Sequence, residues 1–460
     1  MKKNVLKKNI RTLLIVFIVM FALLIVYLGY VNVVYGERWF ATAYNPRIQN
    51  MKTNVQVGNI LDRTGLPLLF VDNGEREYIE DKGMRIAIAH VVGDEYGLSY
   101  GAQTMYAKYL FGFDKDTITR IVDLLSGEER TGSDVTLTID ALLCKTAMDA
   151  MNGNDGAVVV MNYQTGEILA SISSPSFDPE DMSLFLEGGG DSELVNRASS
   201  GLYPPGSTFK LITAAALIDN GMADFKTTCK GSIMIGGKEI ACTSKHGDVG
   251  LHDAIEHSCN VYFAEAAVAL GTGALKAKAD KFLFNTNFLF SDVVMENSIF
   301  KAAANDLDAA WSSIGQYHDL ITPLHACMIA ACIANDGVMM EPKLLKSVSN
   351  NTSETYAFKP KTAATPMDNT DSFKEMMVAV VKSGTGTKAA IDGYTVAGKT
   401  GTAEIATKDG KAAHAWFVGF INDDDHPLAI AVILEKAGSG GANAAPVAKK
   451  VLKKAINLGY

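Results

Sequence analysis

The sequence predicts an α+β fold in which one antiparallel sheet is flanked by helices. Apolar, strand-like runs occur near both ends of the region from residue 153 onward, at 156–173 and at 414–434. A block of helical segments at 207–334 separates these two groups of strands. Strands from both ends of a domain that join one sheet, with helices packed on it, are typical of the α+β class.

The first 35 residues predict a single membrane anchor. An uncharged apolar run at 12–35 is long enough to cross a bilayer. It is preceded by Lys2, Lys3, Lys7, Lys8 and Arg11. The positive-inside rule therefore places tail 1–11 in the cytoplasm and the rest outside. A cleaved signal peptide is the alternative, but such a peptide normally ends in small residues, whereas this run ends in Val33-Val34-Tyr35.

Residues 36–152 are predicted to form a small mixed module between the anchor and the main domain, which spans 153–460. A chain of 460 residues is long enough for about two or three domains. Two interpretations of the module remain open. It is either a passive pedestal that raises the main domain above the membrane or a pedestal that also docks a partner.

The main domain begins and ends with predicted strands. Residues 156–161 and 167–173 flank a turn at 162–166, which together indicate a hairpin. Residues 414–421 and 428–434 flank an acidic turn, and a helix is predicted from about Asn443 to Leu458.

Composition narrows the possible functions. The net charge is −9, so the chain lacks the basic surface expected of a nucleic-acid-binding protein. Its six cysteines do not have disulfide-scaffold spacing. Cys229 and Cys242 flank a Gly-rich turn and are the best candidate pair, with buried free thiols as the equal alternative. No CxxC, HExxH or histidine cluster occurs, so we expect no metal site and no cofactor.

Three short motifs carry the candidate site: Ser207-Thr208-Phe209-Lys210, Ser258-Cys259-Asn260 and Lys399-Thr400-Gly401-Thr402. Ser207 follows Pro204-Pro205-Gly206 and opens an apolar helical stretch, which places Lys210 one turn later on the same face. A serine hydroxyl needs a neighbouring base, so Lys210 must be neutral to act. Burial and a nearby cation, for which Lys399 is the candidate, would lower its pKa.

Together with their context, these motifs resemble the class B penicillin-binding proteins, monofunctional peptidoglycan D,D-transpeptidases, in the form with a short N-terminal module. The resemblance extends from about Gly156 to the C-terminus. It rests on Gly156-Ala157-Val158-Val159-Val160, Thr165-Gly166-Glu167-Ile168-Leu169-Ala170, Ser174-Pro175-Ser176-Phe177-Asp178-Pro179, Asn196-Arg197-Ala198, Pro204-Pro205-Gly206-Ser207-Thr208-Phe209-Lys210, His257-Ser258-Cys259-Asn260, Thr322-Pro323-Leu324 and Ala397-Gly398-Lys399-Thr400-Gly401-Thr402-Ala403-Glu404. The chain departs from the family at Gly315-Gln316-Tyr317, where Gly-Gln-Gly is usual, and at Val57, where arginine is usual.

The resemblance implies the penicilloyl-serine transferase fold and a role for each motif residue. The catalytic residues are expected to be Ser207 as nucleophile, Lys210 as base and Ser258 as proton relay. The substrate-binding residues are expected to be Asn260, Lys399, Thr400, Gly401 and Thr402. Cys259 is expected to point into the core, and the oxyanion hole is expected to consist of the backbone N–H groups of Ser207 and Thr402.

The implied function is crosslinking of peptidoglycan stem peptides through a Ser207 acyl-enzyme, with release of D-alanine. β-Lactams are expected to acylate the same serine. The resemblance also implies a polytopic membrane glycosyltransferase of the shape, elongation, division and sporulation type as the partner. Module 36–152 is too short to hold a glycosyltransferase domain of its own, so the enzyme is expected to be monofunctional. A D,D-carboxypeptidase or β-lactamase-type hydrolase shares all three motifs, and a non-catalytic scaffold of a wall-synthesis complex is the alternative from another class.

Overall fold

The computed structural model describes residues 2–40, 55–113, 130–190, 192–290, 292–350, 354–407 and 410–460. Parts of the predicted module, at 41–54 and 114–129, lie outside the described residues. Within the described part, the α-helices are α1 Lys2–Phe40, α2 Lys82–Val92, α3 Ala102–Met105, α4 Ala107–Leu110, α5 Ala141–Met151, α6 Ser183–Leu186, α7 Arg197–Ser200, α8 Lys210–Asp219, α9 Leu251–Glu256, α10 Asn260–Leu270, α11 Thr272–Lys281, α12 Asp306–Ser313, α13 Pro323–Ala334, α14 Asp371–Lys382 and α15 Ala445–Asn457.

The strands are short except in the central sheet. They are β1 Val55–Gln56, β2 Ile60–Leu61, β3 Pro67–Asp72, β4 Glu75–Tyr78, β5 Arg130–Thr131, β6 Asp134–Leu137, β7 Gly156–Asn162, β8 Ile168–Ser174, β9 Thr227–Cys229, β10 Ser232–Ile235, β11 Lys238–Ala241, β12 Gly247–Val249, β13 Met339–Met340, β14 Leu345–Ser349, β15 Glu354–Ala357, β16 Thr362–Ala364, β17 Val396–Thr407, β18 Gly410–Ile421 and β19 Leu428–Leu434. Two 3₁₀ turns at Gly206–Phe209 and Thr387–Ala389 and a π turn at Gly440–Ala444 complete these elements.

The central sheet joins strands from both ends of the main domain, as the sequence predicts. Its order is β17-β18-β19-β7-β8, and every neighbouring pair is antiparallel. All seven residues of β19 are buried, because this strand lies in the middle of the sheet. At one edge, β17 pairs with β18 from Val396 to Thr407. This edge strand carries the third motif.

Helices pack against the sheet and supply the rest of the core. All twelve residues of α13 are buried, and the helix packs on β7, β18 and β19. Helices α5 and α15 pack on each other and on the sheet. The predicted C-terminal helix begins at Ala445, two residues later than expected, because the π turn precedes it.

The boundary between the small module and the main domain is crossed by a second sheet. Its order is β15-β14-β6-β2-β3-β4, so strands from before residue 153 pair with strands from after residue 344. Strand β14 runs antiparallel to β6, and β2 runs parallel to β6. Arg85 on α2 also reaches the main domain, with its guanidinium 2.7 Å from the Asp178 carboxylate and 2.9 Å from Glu180. The two units are therefore joined by a shared sheet and a network of ion pairs.

The N-terminal helix α1 contains the predicted anchor. It runs continuously from Lys2 to Phe40, and the segment Lys7–Val31 is long and apolar enough to span a membrane, with a mean hydropathy of 2.9. Most of its described apolar side chains, such as Leu13 and Phe21, are exposed, and Val31 is buried. An apolar surface of this size is compatible with lipid rather than water.

Between α8 and α9, the predicted helical block is interrupted by four short strands that the sequence does not predict. Strands β10 and β11 form a hairpin, and β9 pairs with β12. This small subdomain, residues 227–249, lies next to the second motif and carries Cys229 and Cys242.

Candidate active site

Ser207 lies in the 3₁₀ turn that leads into α8, and local backbone geometry holds this turn against β17. Gly206 has a φ of +54°, and a Cβ atom there would lie 2.8 Å from the Thr402 carbonyl oxygen. The Gly206 N–H donates to the Gly315 carbonyl at 3.0 Å. Only glycine allows both the left-handed conformation and this close approach. The Pro-Pro-Gly sequence thus places Ser207 beside the third motif.

Gly401 has a packing role in the structure, in addition to the substrate-binding role that the family resemblance implies. A Cβ atom at this position would lie 2.9 Å from Cβ of Trp416, 3.0 Å from Cγ2 of Thr208 and 3.2 Å from the Pro205 carbonyl oxygen. Gly401 therefore makes room for the turn that carries the nucleophile. The expected contact of Gly401 with substrate stays a prediction.

Lys210 is fully buried, and its amine contacts both residues of the second motif. Nζ lies 2.7 Å from the Ser258 carbonyl oxygen, 3.1 Å from Ser258 Oγ and 2.6 Å from Asn260 Oδ1. Two of these partners, the carbonyl and the amide oxygen, only accept hydrogen bonds. A neutral amine would therefore donate its two protons to them and direct its lone pair toward the Ser258 hydroxyl.

Lys399 approaches the same hydroxyl from the sheet. Its Nζ lies 2.9 Å from Ser258 Oγ and 3.0 Å from the Thr400 carbonyl oxygen, and its side chain is also fully buried. Ser258 Oγ therefore lies between two lysine amines. A hydroxyl accepts from one neighbour while it donates to another, so it connects Lys399 to Lys210.

Burial shifts the pKa values of both lysines downward. It lowers the pKa of Lys210 from 10.5 to about 7, against the smaller, opposing effect of the sulfurs of Cys242 and Cys259. Burial, and after it the positive charge of Lys210, lowers the pKa of Lys399 well below 10.5. Two ammonium groups beside one oxygen repel each other, so a single charge on the pair is favoured near neutral pH.

The second motif is held in an unusual backbone conformation. Ser258 has a φ of +57°, in the left-handed region that residues other than glycine rarely occupy. Such a conformation persists where the surrounding contacts determine it and is frequent at functional sites. Asn260, two residues after Ser258, begins α10, and its Nδ2 group donates to the Ala241 carbonyl at 2.7 Å. Both ends of the Asn260 amide thus have partners inside the protein.

Thr400 and Thr402 differ in their surroundings. Thr400 is buried, and its hydroxyl lies 2.6 Å from the hydroxyl of Thr385, a residue that the sequence analysis missed. Thr402 is exposed, and its carbonyl accepts from Gln316 Nε2 at 3.4 Å. Because the N–H and C=O groups of one strand residue point to the same side, the Thr402 N–H is directed away from β18 and toward the open edge.

The aromatic residues near the third motif serve packing, and three cysteines lie at or beside the second motif. Trp416 and Phe417 are fully buried, and Trp416 Nε1 donates to the Pro204 carbonyl at 3.0 Å, which holds the turn before Ser207. Cys259 is buried, as predicted. Cys229 and Cys242 are free thiols with their sulfur atoms 3.7 Å apart, so the predicted pair is close but not bonded.

Comparison with known proteins identifies the family. Residues 156–453 match the penicillin binding protein transpeptidase domain. The chain is 34% identical over 380 residues to the peptidoglycan D,D-transpeptidase PbpA of Mycolicibacterium smegmatis, covering 74% of this chain and 76% of that protein. It is 30% identical over 407 residues to the peptidoglycan D,D-transpeptidase MrdA of Acinetobacter baumannii, covering 76% of this chain and 59% of that protein.

Solved structures agree with these matches. Penicillin-binding protein A of M. tuberculosis, as a ceftriaxone acyl-enzyme complex, superposes with a TM-score of 0.79 at 28% identity and covers 88% of this chain and 99% of that chain. Its penicillin G acyl-enzyme complex gives a TM-score of 0.77 at 28% identity and covers 87% of this chain and 99% of that chain. This chain belongs to the class B penicillin-binding proteins. Family membership confirms the predicted fold and the predicted serine acyltransferase class, and it does not favour the hydrolase or scaffold alternatives.

Proposed function

We propose that this penicillin-binding protein is a peptidoglycan D,D-transpeptidase that acts through Ser207. The observation that carries this proposal is the Ser258 hydroxyl held between two fully buried lysine amines, at 3.1 Å from Lys210 and 2.9 Å from Lys399. Ser207 precedes Lys210 by one helical turn. This is an arrangement for moving a proton between a serine nucleophile and a leaving amine.

In the acylation step, Ser207 Oγ attacks the carbonyl carbon of the penultimate D-alanine of a stem peptide. The lone pair of neutral Lys210 turns from the Ser258 hydroxyl to the Ser207 hydroxyl and accepts its proton, and a positioned base of this kind contributes about 10²- to 10⁴-fold. The proton then passes through Ser258 to the nitrogen of the terminal D-alanine. The peptide C–N bond breaks, D-alanine leaves and an ester remains on Ser207.

In the second step, the amine of a neighbouring stem peptide attacks the ester. Its proton returns through the same hydroxyl to Lys210, the C–O bond to Ser207 breaks and the serine regains its proton. The product is a crosslink with a new amide bond. A β-lactam acylates Ser207 in the same way, but its amine stays covalently attached to the acyl group and cannot diffuse away.

The backbone N–H groups of Ser207 and Thr402 form the oxyanion hole in this mechanism. Support comes from the outward orientation of Thr402 on the edge strand and from the contact between Gly206 and the Thr402 carbonyl. Removing one donor from an oxyanion hole costs about 10²- to 10³-fold in turnover in other enzymes.

The terminal carboxylate of the donor peptide binds at the third motif. Lys399 supplies positive charge there, and the hydroxyl groups of Thr400 and Thr402 supply hydrogen bonds. The 2.6 Å contact between the Thr400 and Thr385 hydroxyls fixes one of these donors in place. Asn260 binds the substrate backbone through the second proton of its Nδ2 group, since its first proton is donated to Ala241.

The N-terminal helix anchors the protein in the bacterial cytoplasmic membrane as a single span, with tail 1–11 inside and the catalytic domain outside. The five basic residues before the apolar segment support this orientation. A polytopic membrane glycosyltransferase is the proposed partner of the anchor and the module. Replacing the anchor, residues 1–35, by an unrelated membrane span tests this pairing, because it leaves the sheet shared with the main domain intact. Loss of copurification with the glycosyltransferase is expected, and unchanged copurification would contradict the pairing.

Acylation by a fluorescent penicillin tests the proposed nucleophile. The full-length protein in detergent is expected to form an adduct that survives for hours, whereas Ser207→Ala is expected to form none. Incubation with a stem pentapeptide and an amine acceptor is expected to release D-alanine and give a new amide. Rapid loss of the label, or D-alanine release without amide formation, would indicate a hydrolase instead.

A further inference from the structure

Three cysteines and one histidine meet beside the second motif. The cluster consists of Cys229 at the end of β9, Cys242 after β11, His246 before β12 and Cys259 at the start of α10. One ligand atom from each residue lies within 4.8 Å of all the others. Cys229 and Cys259 are fully buried, and the other two are half-buried. Thiolate and imidazole groups are the ligands that zinc prefers in structural sites.

Three of the six distances between ligand atoms in this cluster match those of a tetrahedral site, and the other three are at most 4.8 Å. The Cys242 sulfur lies 3.7 Å from the Cys229 sulfur and 3.7 Å from the Cys259 sulfur. His246 Nδ1 lies 3.5 Å from the Cys229 sulfur. On a tetrahedral zinc ion with bonds of about 2.3 Å to sulfur and about 2.0 Å to nitrogen, these edges are about 3.8 and 3.5 Å. A disulfide, in contrast, brings two sulfurs to about 2.05 Å.

Neighbouring groups orient two of the four ligands, Cys242 and His246. The Cys242 sulfur accepts backbone N–H groups from Asn260 at 3.1 Å and from Val261 at 3.3 Å. His246 Nε2 lies 3.1 Å from Ser244 Oγ, which leaves Nδ1 directed at the sulfurs. Metal-bound histidines almost always have such a partner on their second ring nitrogen. Backbone N–H groups aimed at a sulfur stabilise its thiolate form.

We propose that Cys229, Cys242, His246 and Cys259 bind one zinc(II) ion. Binding releases the three thiol protons and involves no redox change, so the site carries a net charge of −1. This proposal replaces the expectation of no metal site, which was based on the absence of a CxxC motif. The ligands are instead separated by 12, 3 and 12 residues, a spacing that becomes compact only because the strands of 227–249 fold back onto α10.

The zinc ion would also position the second motif, a consequence that rests on the proposed function. Cys259 stands between Ser258 and Asn260, and both neighbours contact Lys210. Four bonds to the metal would tie this short segment to subdomain 227–249 and help to hold Ser258 at its φ of +57°. The four ligands are positioning residues, since none of them contacts the proposed reacting atoms.

Metal analysis of the full-length protein, purified in detergent without chelator, tests the site. We expect about one zinc per chain by mass spectrometry of the metal, released when a mercurial blocks the thiols. Cobalt(II) added to the stripped protein is expected to give the absorption of a tetrahedral thiolate complex. Two outcomes would overturn the proposal: another metal at stoichiometric level, or no zinc together with no cobalt spectrum after thiol reduction.

Substitutions inside and outside the cluster test which residues bind the zinc ion. Cys242→Ser and His246→Asn are expected to lose the bound zinc, and Cys332→Ala, a buried cysteine on α13 outside the cluster, is expected to keep it. Equal zinc content in all three variants would overturn the ligand assignment. If a variant does not fold, the metal content and cobalt spectrum of the unmodified protein still decide the question.

The positioning role is tested by stripping and restoring the metal. Acylation by penicillin is expected to fall roughly 10- to 100-fold on removal of zinc, since small displacements of catalytic groups have effects of this size. It is expected to recover when zinc is restored, in parallel with the melting temperature. If the purified protein carries one zinc per chain but the stripped protein is acylated at the same rate, the positioning role is refuted. The metal site itself would still stand. Absence of acylation in the zinc-loaded protein would instead count against the proposed function.

Discussion

The pH dependence of acylation tests the proposal that Lys210 is the base. Its side chain is fully buried, and burial lowers its pKa to about 7. Only the neutral amine accepts the proton of Ser207. Below this pKa the neutral fraction falls tenfold for each pH unit, so acylation at pH 5 is expected to be about 100-fold slower than at pH 8.

The measurement is the second-order rate constant for acylation by a fluorescent penicillin between pH 5 and pH 9. The carboxylate of the β-lactam stays ionised over this range, so the rising limb reports groups of the protein. Ser207→Ala serves as the blank at every pH. A rate that does not change between pH 5 and pH 9, or one that is still rising tenfold per unit at pH 9, would refute the assignment of Lys210.

The titration of Lys210 itself does not cause a loss of folding over this pH range. The folded-state pKa of Lys210 is below its unfolded value of 10.5, so the unfolded state binds the extra proton between about pH 7 and pH 10.5. The contribution of Lys210 to the free energy of unfolding therefore rises with pH through that window and is constant below it. Between pH 7 and pH 5 Lys210 makes no further contribution to unfolding. Circular dichroism at pH 5 checks that the fold is retained.

Three further substitutions test the geometry of the site. Asn260→Asp places a carboxylate beside the Lys210 amine, which raises the pKa of Lys210. The rising limb of the pH–rate profile for acylation is therefore expected to move up by about 1–3 pH units, and an unchanged limb would count against the contact. In Gly401→Ala the new methyl group overlaps its neighbours, so the free energy of unfolding is expected to fall by about 1–3 kcal/mol. Thermal unfolding measures this, and a melting temperature equal to that of the wild type would contradict the packing. Thr385→Val removes the hydrogen bond to Thr400, which is worth about 1 kcal/mol, and is expected to lower kcat/KM for carboxylate-bearing substrates several-fold. Thr385→Ser keeps the hydroxyl group and is expected to keep the wild-type kcat/KM.

The central sheet could be predicted from sequence because its strands have strong local signals. The predicted strand at 428–434 coincides with β19, which is buried throughout and apolar throughout. The hairpin of β7 and β8 was predicted to within one residue at each end for the same reason. Short strands such as β9 and β12 have three residues each, too few for a periodic pattern.

Long-range contacts explain what the sequence did not reveal. Strand β14 pairs with β6, more than 200 residues earlier, and nothing in either segment specifies that partner. Thr385 reaches Thr400 because α14 and the following loop pack against β17, so it belongs to no motif. The three catalytic motifs were visible because their chemistry constrains residues close together in the chain, whereas the contacts between motifs depend on the folded structure.

The two buried lysines are best understood as one titrating unit. Both amines contact Ser258 Oγ, and each is deprived of water by the same surrounding core. Since their protonation is coupled, the charge on one lysine favours the neutral form of the other. With the charge on Lys399, the Ser258 hydroxyl accepts from Lys399 and donates to Lys210. Its proton must then reverse direction before Lys210 can deliver a proton to the leaving amine, so the orientation of this hydroxyl distinguishes the resting site from the acylating one.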